Sequence, residues 1–498
     1  MGMMLKPSKC RSFSLKSGSP SVVSFFIGET RISSVSEEEQ KFLGKVIFYL
    51  GKSTETFDYV KTILMNKLEN LNSKMVRDEF KLKIYIIYLL PSIRFLLTIN
   101  TLTTTHLKKL DTLTAKYLKQ WAGLPNCATN SIFHLKYSLN IPSISSFYHE
   151  AHHFSHASTR LKGDDEVNHA LDSAVNRESN WTRKKSTVVA AEESYNNAVE
   201  LNVIEGVPIY NGDKNEITKI QKHIRSELQS KNQKEHLSHI QDLIKQGHFL
   251  KILGQQNIDA TWKSYIFDLK KGTMKFLLNS CLDTLPTKVN LMQWGKCPTD
   301  RCKNCQARQT TCHILNCCST SLNQGRYTWR HNNLLEYMSK CLDKTKFEIY
   351  IDIPEHTTPS GGTIPPSLCV TPLKPDLVII DKKKKTIHIF ELTCSFETNI
   401  EDANRRKANK YQHFETDLAD TGLKPFIVPF EVGSRGLVTE DNRARLKKIH
   451  SFCKPEIVFK KFVKNLSALA VNSSYFVFLM RNEPLWTDTA SLLPPFKD

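Results

Sequence analysis

The stretch Lys374–Thr393, KPDLVIIDKKKKTIHIFELT, decides the reading of this chain. Two apolar runs, LVII and IHIF, flank four consecutive lysines, Lys382–Lys385, and predict a β-hairpin with a lysine-rich turn. Each strand carries one acid at odds with its neighbours, Asp376 near the start of the first and Glu391 near the end of the second. A turn centred between Lys383 and Lys384 sets these two directly opposite each other, with Cβ atoms about 5 Å apart on one face. Carboxylates that close repel unless a proton or a cation lies between them. Mg²⁺ suits the pair, as a hard ion that takes few protein carboxylates and keeps sites for phosphate and water. The strands are apolar on both faces, as central strands covered on both sides are.

A helix follows in ETNIEDANRRKANKYQHFETDLADTG, Glu397–Gly422. Ile400, Ala403, Lys407, Tyr411, Phe414 and Leu418 make one stripe, with Lys410 at its border. Lysines on a packing face are costly unless they meet carboxylates or phosphate. Arg405 and Arg406 point elsewhere, in position to grip a DNA backbone.

Upstream lies CPTDRCKNCQARQTTCHILNCC, Cys297–Cys318. Seven of the 13 cysteines fall between Cys281 and Cys318, and the total is odd. Clustering around a histidine argues for structural zinc in a reducing, intracellular compartment rather than a disulfide framework. Cys302, Cys305, His313 and Cys318 supply four soft ligands, the number a closed tetrahedral site needs. Cys297, Cys312 and Cys317 are spares that spacing alone does not rank. Such an element would orient Arg326, Arg330 and His331 toward nucleic acid.

Together these features resemble the PD-(D/E)xK nuclease superfamily, with Pro375-Asp376 as the PD and Glu391 as the second acid. Thr393 stands where the usual lysine would be, and Lys407 and Lys410-Tyr411 match a lysine moved to the following helix. The arrangement is similar to the restriction-like endonuclease of site-specific non-LTR retrotransposons, which also carry a CCHC element upstream. The resemblance implies Mg²⁺-dependent DNA nicking. Asp376 and Glu391 would hold the ion, and Lys407 or Lys410 would orient water or stabilise developing charge.

The amino-terminal part is similar to the same family. LKPSKCRSFSL (Leu5–Leu15) followed by KFLG (Lys41–Gly44) resembles the end of a reverse-transcriptase palm, and the helices to about residue 140, including QWAGLP, resemble its thumb. The implied organisation is multidomain α+β: palm remnant 1–50, helical thumb 51–140, helical linker 141–280, CCHC element 281–340 and an α/β endonuclease domain 345–498. No Y/F-x-D-D motif is present, so polymerisation is not expected unless another chain supplies the palm. The chain reads as the carboxy-terminal piece of a retrotransposon polyprotein, nuclear, with target DNA and element RNA as partners.

Composition agrees with a polyanionic partner. Lys+Arg is 69 against Asp+Glu 50, a formal charge of +19. The most apolar stretch, KIYIIYLLPSIRFLLTI, is interrupted by Pro91 and Arg94, so no membrane span is expected. Two motifs are decoys. GDDE, 163–166, lacks an apolar strand before it and reads as a solvated loop. HEAHH, 149–153, matches the zinc-protease pattern through His149, Glu150 and His153, without an evident third ligand. A rival to the nuclease is a catalytically inactive protein that binds RNA or DNA through the thumb, linker and zinc element.

Overall fold

Leucines and aromatics at helical spacing form the long helices of the amino-terminal part. Helix α1 (Ser53–Ser73) buries Val60, Leu64, Leu68 and Leu71, and α2 (Thr104–Ala122) buries Leu107, Leu110, Leu118 and Trp121. The Trp121 indole N–H donates to Asn72 Oδ1 at 2.9 Å, tying the two together. This is a computed structural model; it describes residues 5–17, 19–48, 53–161, 164–178, 214–255, 261–411, 418 and 422–486. Most of the polar linker and Phe414 therefore lie outside the described residues.

Helices dominate and the sheets are small, an α+β mixture. Two compact units divide the chain: residues 1–121 with 141–236, and residues 122–140 with 237–498. Residues 122–140 lie in the second unit, whose side chains bond to their carbonyls. Gln246 donates to Cys127 O, Lys263 to Lys136 O and Asn279 to Gly123 O.

In the first unit, residues 14–47 form three two-stranded antiparallel hairpins. The apolar stretch before α2 is not one helix. A π-helical turn, Tyr85–Leu89, precedes Pro91, which lacks the donor a regular helix needs. Among the described residues, no helix is long and apolar enough to cross a membrane. Helix α3 (Ile144–Leu161) packs Phe154 and Ala157 against Ile224 and Leu228 of α4 (Lys214–Gln241). The acids of 163–166 begin a helix: Asp164 Oδ1 accepts the Val167 N–H, an amino-terminal cap rather than a loop.

The second unit holds the predicted hairpin. Strands β1 (Glu348–Ile351), β2 (Leu377–Asp381), β3 (Thr386–Thr393) and β4 (Lys424–Glu431) form one sheet in the order β4-β3-β2-β1. β2 and β3 are antiparallel, and β3 and β4 parallel. A parallel neighbour requires a crossover, which α7 (Ile400–Lys410) supplies. Pro425 and Pro429 fit β4 because it is an edge strand.

Alternation then sorts the side chains. Leu377, Ile379, Phe390 and Leu392 pack with α6 (Arg326–Cys341), α8 (Glu440–His450) and α9 (Phe459–Leu479). Val378, Ile380, Ile387 and Ile389 pack with Ile364, Tyr411 and Leu418 on the other face. Each fully buried Leu, Ile or Phe contributes about 1.5–3 kcal/mol. Between β4 and α8 the turn at Gly436 adopts φ +79°, where a Cβ would lie 2.7 Å from Ser467 Oγ and Val471.

A buried ion pair pins the loop after β3. Arg435 donates from Nε to Glu397 Oε2 at 2.6 Å and from Nη1 to Ser280 O in α5 (Lys271–Cys281), with its guanidinium between the rings of Phe249 and Phe396. Removing one partner of such a pair leaves an uncompensated buried charge. Glu397→Ala is therefore expected to lower stability by about 3–5 kcal/mol, read as a lower urea midpoint with an unchanged m value.

Candidate active site and metal centre

The hairpin register places its two acids together. Leu377 pairs with Phe390, so Asp376 stands opposite Glu391, the arrangement a turn centred on the lysines requires. The regular ladder ends there, and the acids continue it with their side chains. Glu391 Oε2 accepts the Asp376 N–H at 3.0 Å, and Asp376 Oδ2 accepts the Leu392 N–H at 2.7 Å. Both acids are buried, with Glu391 1% exposed. Each carboxylate is thereby fixed by the opposite strand's backbone.

Helix α7 covers the same face. Lys407 Nζ lies 2.6 Å from Glu391 Oε1 and 3.9 Å from Asp376 Oδ2, so one ammonium offsets the mutual repulsion of both acids. Lys410 Nζ is 3.6 Å from Glu391 Oε1 and donates to the Tyr411 hydroxyl at 3.0 Å. Lys410 is exposed, whereas Tyr411 is buried. Burial first, and then the Glu391 charge, push the Tyr411 phenol well above its ordinary range. Arg405 and Arg406 are exposed on the same helix, bonded to Asp402 of the preceding turn.

His331 joins the acids from the opposite layer. Its Nε2 lies 3.2 Å from Asp376 Oδ2, and its Nδ1 contacts Asn332 Oδ1 at 3.3 Å. Burial pulls the imidazole down, but the bond to Asp376 and its charge more than offset this, for a net upward shift. His331 thus sits among the site's acids instead of on a nucleic-acid-facing surface. Arg326 and Arg330 are also corrected. Both are fully buried, Arg326 on the carbonyls of Met480 and Glu483, Arg330 on Cys394 O and Ser474 Oγ. They anchor α6 internally.

One acid escaped sequence reasoning. Glu431, at the end of β4, pairs in register with Thr393, two residues beyond Glu391, and is 1% exposed. Asn404 of α7 donates to its Oε1 at 3.0 Å, Arg445 lies 3.3 Å from its Oε2, and burial raises its pKa. A lone acid ending the apolar run KPFIVPFE was the available signal.

Cys302, Cys305, His313 and Cys318 converge, their ligand atoms all within 4.8 Å of one another. The Cys305 and Cys318 sulfurs are 3.7 Å apart, and Cys305 Sγ is 3.3 Å from His313 Nε2. Tetrahedral Zn–S bonds of about 2.3 Å put two sulfurs about 3.8 Å apart, so the set can hold a metal ion such as zinc. Burial lowers the His313 pKa and favours the neutral, ligating imidazole. The spares make other contacts, Cys297 with Lys288 and Cys312 with Cys317. The phenol of Tyr327, in α6, accepts the Cys318 N–H and donates to the His313 and Ile314 carbonyls, linking the cluster to that helix.

Among the described residues this is the one cluster of three or more potential ligands of that kind. His149, Glu150 and His153 do not form another. Glu150 is engaged by Arg94 at 3.3 Å and Arg225 at 2.8 Å, and His152 contacts Leu97 O at 2.9 Å, as core residues do.

No protein-family model matches the chain, and no curated protein matches it. The cluster makes a direct prediction. Cobalt(II) loaded into the purified chain is expected to give the intense visible d–d bands of a tetrahedral sulfur-rich site at about one ion per chain. Cys302→Ser, Cys305→Ser or Cys318→Ser weakens those bands, whereas Cys297→Ser, Cys312→Ser and Cys317→Ser leave them.

Proposed function

We propose that this chain is a Mg²⁺-dependent DNA endonuclease of the non-LTR retrotransposon type. The observation that carries the reading is the placement of Lys407 against two opposed, cross-braced carboxylates. Two facing carboxylates are the kind of oxygen donors a hard cation takes, so Asp376 and Glu391 are the residues that would hold Mg²⁺. When bound there, the ion supplies charge stabilisation to the phosphate and a more acidic water.

The chain's own residues divide the remaining tasks. Asp376 and Glu391 orient toward α7 because the opposite strand's N–H groups fix them. Lys407 keeps the acids together before substrate arrives and then offers its ammonium to the attacking water or the scissile phosphate. Lys410, held by the Tyr411 hydroxyl, adds a second cation at the exposed rim. Arg405 and Arg406 face solvent on the same helix, where a DNA backbone would meet them. The excess of 19 positive charges favours that encounter.

The cysteine cluster is read as structural zinc, closed to substrate by its four ligands. Nuclear residence, target DNA and element RNA follow from the same reading. Polymerisation is no part of it.

A second reading keeps nucleic-acid binding without cleavage. The 2.6 Å Lys407–Glu391 pair favours it, because the site then balances its charge with no cation. A nicking assay on supercoiled plasmid separates the two. Wild type with Mg²⁺ is expected to convert plasmid to open circles, with Asp376→Ala and Glu391→Ala slower by about 10³-fold and Lys407→Ala by about 10²-fold. Retardation of DNA by all four proteins without nicking would establish the binding-only reading. In either case DNA affinity is expected to fall steeply with salt.

A further inference from the structure

His331 is the least expected member of the site. It projects from α6, whose apolar side packs on the sheet face opposite α7, yet its Nε2 reaches Asp376 Oδ2 at 3.2 Å. That oxygen also accepts the Leu392 N–H at 2.7 Å and lies 3.9 Å from Lys407 Nζ. Asp376 is thus approached from both layers. With the Leu392 N–H as its one other donor, the carboxylate can pivot about that bond toward Lys407 and close a tight ion pair, which an incoming cation must then break.

The geometry points to His331 as a positioning residue for the cation-binding acid Asp376, acting through its Nε2–H donor; this rests on the endonuclease reading of the same site. The imidazole holds Oδ2 away from Lys407 and leaves Oδ1 for the ion. Its own helix is tied to the cysteine cluster and to the segment after β3. Tyr327, one turn earlier in α6, holds the Cys318 N–H and the His313 carbonyl, and Arg330, the residue before His331, holds Cys394 O just after β3. The helix therefore carries the order of one metal site to the acid of the other. Outer partners of this kind orient ligands and tune affinity for the ion.

Mn²⁺ binding followed by electron paramagnetic resonance tests this without requiring turnover. The zinc-loaded full chain is titrated, with Asp376→Ala defining binding elsewhere. His331→Ala is expected to weaken the Asp376-dependent site by about tenfold or more. His331→Gln, whose side-chain N–H reaches to a similar place, is expected to restore it to within about threefold. Zinc content and Tm should be those of wild type for both variants, which separates positioning from folding. The proposal is overturned if the alanine variant binds Mn²⁺ as wild type does, or if glutamine is as poor as alanine. It is overturned, together with the cation site, if wild type binds no more Mn²⁺ than Asp376→Ala. Plasmid nicking, measured in parallel, reads the endonuclease reading separately: binding without nicking removes that reading and leaves the positioning result standing.

Discussion

Two buried carboxylates facing each other at the end of a hairpin cannot persist without compensation, and much of the second unit follows from that constraint. The strands supply backbone N–H donors from 376 and 392, and α7 supplies the ammonium of Lys407. The crossover helix has to pass over the acid-bearing face for its lysines to reach. The parallel pairing of β3 with β4 provides this, since the chain must cross that face to return. The alternation that aims Asp376 and Glu391 at α7 is the same one that sends Leu377, Phe390 and Leu392 into the opposite layer.

The second organising element is α6. Its two buried arginines look out of place in an amphipathic helix until their partners are counted. Carbonyls at Met480, Glu483 and Cys394 lie at the end of a helix or just after a strand, where they accept hydrogen bonds from these side chains. A guanidinium, with five donors, meets several at once. These arginines tie α6 to two distant segments, the one after β3 and the one that ends α9, and the zinc-type cluster sits at the start of the same helix.

What the sequence revealed divides along contact distance. The Asp376–Glu391 pairing was legible because a hairpin register depends only on the turn between its strands. The stripe carrying Lys407 and Tyr411, and the four metal-type ligands, were legible for the same local reason. Arg326, Arg330 and His331, expected to be turned toward nucleic acid, have inward-facing partners instead. Their partners lie tens to more than a hundred residues away, in another layer. The bonds from side chains at 246, 263 and 279 to the carbonyls of 123–136 likewise join residues more than a hundred positions apart, which no local pattern marks. Glu431 was passed over because one acid at a strand end has no local partner to mark it.

The rigid run from Tyr327 to His331 sets where this chain can change length. One residue inserted there would rotate His331 about 100° around the helix axis, carrying it off the acid while Tyr327 stayed on the cysteine cluster. One residue inserted among Lys382–Lys385 would only enlarge a solvent-exposed turn, with the ladder intact on either side. Over evolutionary time, insertions and deletions should therefore collect in the lysine turn and be purged from the first turns of α6, although the former lies inside the hairpin that builds the site and the latter in a different layer.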